Sequence, residues 1–262
     1  MIPVIGDYII DKYVKGDNHR LSPEGPFLLL DITSTEEING GAAHVRDQIQ
    51  AFGTPSILLP GYCRSVKTRL VSQNRIILRY DEEDKTPINS DEIEHLISSL
   101  HLLNFNYIVI SDYKKGVVCK ELLERLSKEF SDKKFLIDTK RSPEELSILN
   151  PFVVKVNRDY ILEMMYNIDI MEMTFLQKRL NCKYLVVTLD KEGSVIISSD
   201  SYNIIPNKNI VEVCDVTGAG DIVIALLAHY LNEGLDIKLS LEKAQYYATE
   251  SVRQLGTVVM KP

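Results

Sequence analysis

The sequence predicts an α/β protein: a doubly wound parallel sheet covered on both faces, with a small β layer beside its ligand edge. Three observations carry this expectation. Short continuous apolar runs alternate along the chain with stretches whose apolar residues recur at helical spacing, and strands buried on both faces read as such continuous runs. Two longer segments interrupt the alternation with an extended, mixed polar and apolar pattern. A loop of small residues, Asp215 to Asp221, leads straight into an apolar stretch.

In chain order, the first strand is expected at Ile2–Ile5. Asp11 to Asn39 follows as extended chain carrying Pro23 and Pro26. Ala42, Val45, Ile49 and Phe52 recur at helical spacing and precede a strand at Ser56–Leu59. Lys67 to Tyr80 is partly alternating and β-branched. With the earlier extended segment it predicts antiparallel strands outside the main sheet, a lid falling within residues 12–39 and 64–82. Ile93, Leu96, Ile97 and Leu100 mark a helix before the strand Tyr107–Ile110. Leu122, Leu123 and Leu126 mark another before Lys134–Ile137. Strands are then expected at Phe152–Val156, Tyr184–Thr188 and Val195–Ser198, and a helix from Ile222. No repeat, low-complexity tract or linker interrupts this order, so residues 1–262 are expected to form one domain. Ligands of such sheets bind beyond the carboxyl ends of the strands.

Composition narrows the function classes. The chain has 262 residues, 45% hydrophobic and 26% charged, which is ample for a packed core and argues against disorder. Its 30 Lys and Arg against 37 Asp and Glu give a net charge of −7. A nucleic-acid binder needs a basic footprint instead. A small anionic substrate needs only a local basic pocket. The apolar run Ile222–Ala228 is far too short to span a membrane, and the first residues carry no basic segment or cleavage site of an export signal. A cytoplasmic protein is expected. Cys63, Cys119, Cys182 and Cys214 are widely spaced, without a C-x-x-C pair, and read as free thiols rather than a disulfide or zinc set. The five histidines form no metal-ligand spacing.

The strongest chemical signal is Asp215-Val216-Thr217-Gly218-Ala219-Gly220-Asp221, directly ahead of Ile222-Val223-Ile224-Ala225-Leu226-Leu227-Ala228. Glycines permit close backbone approach, and the N–H groups of Gly218, Ala219 and Gly220 at a helix start suit an anion. A carboxylate in the first turn is a poor anion ligand. Asp221 is better suited to take a proton from a hydroxyl while the N–H groups hold the charge on a transferring phosphoryl. No Lys-Ser/Thr pair follows, so the loop is not a Walker A loop.

This motif resembles the C-terminal signature of the ribokinase-like, phosphofructokinase-B-type sugar kinases. Gly6-Asp7-Tyr8-Ile9-Ile10-Asp11-Lys12-Tyr13, Arg20-Leu21-Ser22-Pro23-Glu24-Gly25-Pro26 and Gly40-Gly41-Ala42-Ala43 resemble the D-glycero-D-manno-heptose 7-phosphate kinase branch. Lys67-Thr68-Arg69, Ser111-Asp112-Tyr113-Lys114-Lys115-Gly116 and Ile137-Asp138-Thr139-Lys140 fall in the same order. The resemblance implies a three-layer α/β/α fold with a β lid and an ATP-dependent kinase that places a second phosphate on the sugar's anomeric hydroxyl. It implies Asp221 as the base and Gly218, Ala219 and Gly220 as the anion hole. Asp11, Gly40 and Gly41 would hold sugar hydroxyls, with His44 where the family has a sugar-contacting amide. Lys67, Arg69 and Arg20 would receive the sugar phosphate, for which guanidinium geometry is suited. Asn157, Thr188, Gly193 and Thr217 would line the ATP, which such enzymes use with Mg²⁺. Lid edges invite pairing, so a homodimer is expected.

The chain also departs from the family pattern. The family's Asn-x-x-Glu, which helps organise Mg²⁺ and the ATP phosphates, reads Asn157-Arg158-Asp159-Tyr160 here. Asp159 and Glu163 are out of register with the missing carboxylate, and no metal ligand is assigned. Tyr246, Tyr247, Thr249 and Arg253 stand where small residues usually surround adenine. The segment between Phe52 and Lys67 is short, and no adenylyltransferase half is present. Two alternatives therefore stay open at this stage: a kinase for another sugar or nucleoside, and a degenerate ligand- or partner-binding homologue with weak or no activity.

Overall fold

The computed structural model describes residues 1–62, 65–165, 167–208 and 211–262. Cys63 therefore lies outside the described residues, as does Arg64 at the start of the expected second lid segment. Cys119, Cys182 and Cys214 are free thiols.

The main sheet has eight strands: β1 (Ile2–Gly6), β4 (Ser56–Leu59), β7 (Tyr107–Ser111), β8 (Lys134–Asp138), β9 (Val153–Asn157), β10 (Tyr184–Thr188), β11 (Gly193–Ile197) and β12 (Tyr202–Pro206). Their spatial order is β12-β11-β10-β9-β8-β7-β1-β4. The six from β4 to β10 run parallel, as the continuous apolar runs predict. β11 and β12 correct the expectation of an all-parallel sheet: they form an antiparallel edge, made possible by the short turn at Asp190–Glu192 where a parallel crossover would need a dozen residues or more. Along each buried strand the side chains alternate between two cores. Ile108, Ile110, Phe135, Ile137, Val154 and Val156 pack on one face; Val109, Leu136, Val153 and Val186 pack on the other.

The first core is closed by α2 (Ser90–His101), α3 (Lys120–Glu129), α5 (Arg158–Met164) and α6 (Ile170–Arg179), with the single-turn α4 (Pro143–Leu146) beside them. The second is closed by α1 (Ala42–Ala51), α7 (Ala219–Asn232) and α8 (Ile237–Ser251). Period and caps agree in α2, where Asn89 and Glu92 form a reciprocal capping box. Phe52, Tyr230 and Tyr247 meet edge to face where α1, α7 and α8 converge.

The lid is a second sheet of four strands, β3 (Leu28–Gly41), β2 (Tyr8–Leu21), β5 (Ser65–Ser72) and β6 (Arg75–Glu83), in that spatial order. Its pairing differs from the expected antiparallel one. β2 and β5 are parallel, and only the two flanking pairs are antiparallel. β4 lies at the edge of the main sheet, and β5, the next strand in the chain, enters the lid in the direction of β2. No helix of the described residues is long and apolar enough to cross a membrane.

Candidate active site

The small-residue loop folds as its sequence demands. Gly218 caps α7 with a left-handed backbone (φ 80°), and a side chain there would meet the His44 ring at 2.9 Å. Asp215 stabilises the loop, accepting from the Thr217 N–H and hydroxyl through Oδ1 and from the Gly256 N–H through Oδ2. The Ala219 N–H turns back to the Val216 carbonyl at 3.3 Å. Ala219's N–H is thus engaged within the turn, while Gly218, Ala219 and Gly220 are all half-buried.

Asp221 lies in the first turn of α7 and is buried. Its Oδ1 accepts a 2.6 Å hydrogen bond from the Tyr113 hydroxyl, and its Oδ2 lies 3.6 Å from His44 Nδ1. Burial, reinforced by the charge of Asp221, holds the Tyr113 phenol well above its ordinary range, so Tyr113 is a hydrogen-bond donor at neutral pH. Tyr113 is itself placed by Asp7, a fully buried carboxylate that accepts from the backbone N–H groups of Tyr113, Lys115 and Val117.

In front of Asp221 is a cavity of about 200 Å³. Asp221, Gly218, Thr217 and Tyr113 line its α7 side, and Asp11, Gly41, Lys67, Arg69 and Arg79 line its lid side. Asp11 is buried and held on both oxygens, by Arg69 at 2.6 Å and by the Thr257 hydroxyl at 2.9 Å. Each oxygen keeps lone-pair capacity for a sugar hydroxyl. Gly40 acts by spacing, because a side chain there would fall 2.3 Å from Asp11 Oδ2. Lys67 sits over the Tyr113 ring; burial lowers its pKa against the opposing pull of Asp11. Arg79 is paired with Asp81 through two hydrogen bonds.

Two of the predicted substrate residues lie elsewhere. Arg20 is exposed near the outer end of β2, nine positions beyond Asp11, about 30 Å along an extended strand. His44 is fully buried and turned to Asp221 and the Val258 carbonyl, not to the cavity. Among the predicted nucleotide residues, Thr217 lines the cavity. Asn157 caps α5 by accepting from the Tyr160 N–H. Thr188 ends β10. Gly193 (φ 103°) is required by the β11–β12 pairing, where a Cβ would lie 2.1 Å from the Ile205 carbonyl oxygen. Tyr160, in place of the family's glutamate, is a core residue whose hydroxyl donates to the Arg141 carbonyl. Asp159 and Glu163 are exposed, and no group of three or more metal-ligating side chains occurs among the described residues.

Sequence reasoning missed Tyr113 and Arg79, which line the cavity, and three residues behind it. Lys155 is a buried cation inside an apolar strand, paired with Asp138 at 2.6 Å and placed against Gly220 at the start of α7. Burial pushes the Asp138 carboxyl up despite that partner. A lysine interrupting Phe152–Val156 near the strand's carboxyl end was the available signal. Thr257 and Val258, from the C-terminal segment that Gln48 ties to α1 through Met260, had no local signal at all.

A buried carboxylate at a glycine-capped helix start, with cations across a small polar cavity, thus sits at the carboxyl edge of a doubly wound sheet under a β lid. Residues 63–262 match the pfkB family of carbohydrate kinases, and the chain belongs to that family. It is 29% identical over 99% of its length to the bifunctional protein HldE of Sulfurimonas denitrificans, of which it covers 62%. It is 30% identical over 98% of its length to HldE of Helicobacter hepaticus, covering 61% of that protein. The chain thus spans about three fifths of the curated relatives it matches. In fold it is similar to phosphofructokinase-2 of Escherichia coli (TM-score 0.77, 15% identity, 100% of this chain and 95% of that one). It is also similar to ribokinase of Thermotoga maritima (TM-score 0.73, 15% identity, 98% and 94%).

Proposed function

We propose that this chain is an ATP-dependent kinase for a phosphorylated heptose, converting D-glycero-D-manno-heptose 7-phosphate to the 1,7-bisphosphate. The observation that carries the reading is the cavity itself: one wall offers a carboxylate base and a helix start, the other offers Lys67 and Arg79 to a second anionic group. The heptose kinase motifs within residues 6–26 and the HldE relatives support the sugar. In the reaction, Asp11 and Gly41 orient the sugar hydroxyls. Asp221 takes the proton of the anomeric hydroxyl as that oxygen attacks the γ-phosphoryl group in line. Gly218, Gly220 and the Lys155 ammonium stabilise the charge on the transferring group. The described residues do not form a magnesium cage, since Tyr160 occupies the core and Asp159 and Glu163 face solvent. Magnesium is read as part of the nucleotide substrate, held chiefly by its phosphates.

The test is ATP turnover with heptose 7-phosphate, with the bisphosphate identified by phosphorus NMR. Lys67→Met is expected to raise the KM for the sugar phosphate at least tenfold and to leave the KM for ATP within about threefold, the loss of one charge-assisted phosphate contact. Equal effects on both substrates would contradict the placement of the sugar phosphate at Lys67. A second reading, a ligand-binding homologue without turnover, is favoured by Tyr160. The same assay decides it: binding of nucleotide and sugar phosphate with no bisphosphate formed.

The lid supports a homodimer. Leu28, Ile32, Leu78 and Tyr80 are each about half or more exposed, and a four-stranded sheet with such a surface favours burial against a second copy. Light scattering at micromolar concentration is expected to give twice the chain mass, and Ile32→Glu combined with Leu78→Glu to give the monomer. A monomeric parent protein contradicts the dimer.

A further inference from the structure

His44 offers something the family pattern does not. Its ring is fully buried. Nε2 lies 3.0 Å from the Val258 carbonyl oxygen, an acceptor only, so this nitrogen carries a hydrogen. Nδ1 has no hydrogen-bond partner within normal reach and points at Asp221 Oδ2, 3.6 Å away. In the neutral ring with hydrogen on Nε2, a bare, buried Nδ1 lone pair would face a carboxylate oxygen 3.6 Å away, an arrangement penalised on both sides. Only the doubly protonated ring presents a donor and a positive charge there.

We propose that His44 is a positioning residue that works as a buried imidazolium, holding Asp221 against the Tyr113 hydroxyl and aimed into the cavity. The inference rests on Asp221 being the base. The ring also supports the helix start, since Gly218 is the residue whose side chain it excludes. The direction of the His44 titration agrees with this attraction: burial pulls it down, the pull of Asp221, helped by the Val258 carbonyl and Asp11, outweighs that, and the net shift is upward.

Other charged groups face the pair from every neighbouring element. Tyr113, after β7, donates to Asp221. Asp138 on β8 lies within electrostatic reach of Asp221 and is neutralised by Lys155 on β9. Asp11 on β2 favours the charged ring and is compensated by Arg69 on β5. Lys67 on β5 lies over the far side of Tyr113. The two carboxylates beside the pair are each matched by a cation, which leaves His44 and Asp221 as each other's counter-charge.

The sign follows. His44 gains its charge below a pKa raised from the ordinary value of about 6.5, so the clamp is complete at lower pH and is lost as pH rises through the raised value. The parent enzyme is expected to show a basic limb in kcat/KM that His44→Asn lacks. The asparagine keeps a donor near the Nδ1 position without the charge. Its kcat at the optimum is expected to stay within about tenfold of the parent. His44→Leu, lacking both donor and charge, is expected to lose about a hundredfold in kcat. Nitrogen-15 NMR of the wild-type imidazoles, with His44 assigned by its absence in His44→Asn and by its response to Asp221→Asn, is expected to show both ring nitrogens protonated at pH 6. A neutral ring protonated on Nε2 alone at that pH, or identical pH limbs in the parent and His44→Asn, overturns the inference while leaving the kinase reading intact. Undiminished turnover in Asp221→Asn instead overturns the reading of Asp221 on which it rests.

Discussion

Asp221→Asn is expected to lower kcat for ATP-dependent sugar phosphorylation by about 10²–10⁴-fold, the range of a general base in a proton-coupled transfer. The substitution is close to isosteric. Its amide oxygen can still accept from Tyr113, so the 2.6 Å contact that fixes the side chain survives. What is lost is the ability to take a proton from the attacking hydroxyl. The Gly218 and Gly220 backbone and Lys155 remain in place, so some phosphoryl stabilisation persists and the residual rate is expected to exceed the uncatalysed one. ATP affinity, measured by calorimetry on the same protein, is expected to change less than threefold, because the base contacts the acceptor and not the nucleotide. A variant with parent-like kcat would remove Asp221 from the chemistry. A loss confined to KM would make it a binding residue.

How much of this was legible in the sequence differs between fold and site. The sheet was legible because its strands are buried on both faces: Tyr107–Ile110 and Lys134–Ile137 have few polar interruptions to blur them, and each lies within a residue of the observed strand. Asp221 was legible because a local motif, a glycine turn opening an apolar helix, encodes it. The parallel pairing of β2 with β5 was not, because it depends on where the chain re-enters the lid rather than on either strand's own pattern. α5 and α6 were missed for a different reason: each is short, and its apolar residues alternate with exposed ones such as Leu162, Met171 and Phe175, which weakens the helical stripe. His44 was placed one layer wrong. The family resemblance implied a place beside the sugar, but on α1 its ring turns to Asp221 of α7. Long-range closure by Thr257 and Val258 brings residues more than two hundred positions apart into contact, and nothing local in a single sequence reports such a pairing.

Arg69 offers the largest expected effect on stability. Its guanidinium donates to Asp11 at 2.6 Å and stacks over the Tyr13 ring, and both partners of the ion pair are only 5% exposed. The pair joins the two central lid strands, where Tyr13 and Arg69 are register partners. Arg69→Met keeps most of the side-chain volume and removes the charge, leaving Asp11 buried with the Thr257 hydroxyl still donating to it. Breaking a buried pair from one side costs about 3–5 kcal/mol. The lower end is expected here, because Lys67 lies on the same strand and still attracts Asp11. The measurement is a urea midpoint shift at unchanged slope, read as a loss of about 3 kcal/mol. The reason for the loss can be checked separately. If it is the stranded carboxylate, then Asp11→Asn in the Arg69→Met background should restore about 1–2 kcal/mol, even though it removes a further charge. If the loss is instead the missing contact with Tyr13, the second substitution restores nothing. A single variant within about 1 kcal/mol of the parent would mean that water reaches Asp11 through the cavity, and that the lid is held by its strand ladder rather than by this pair.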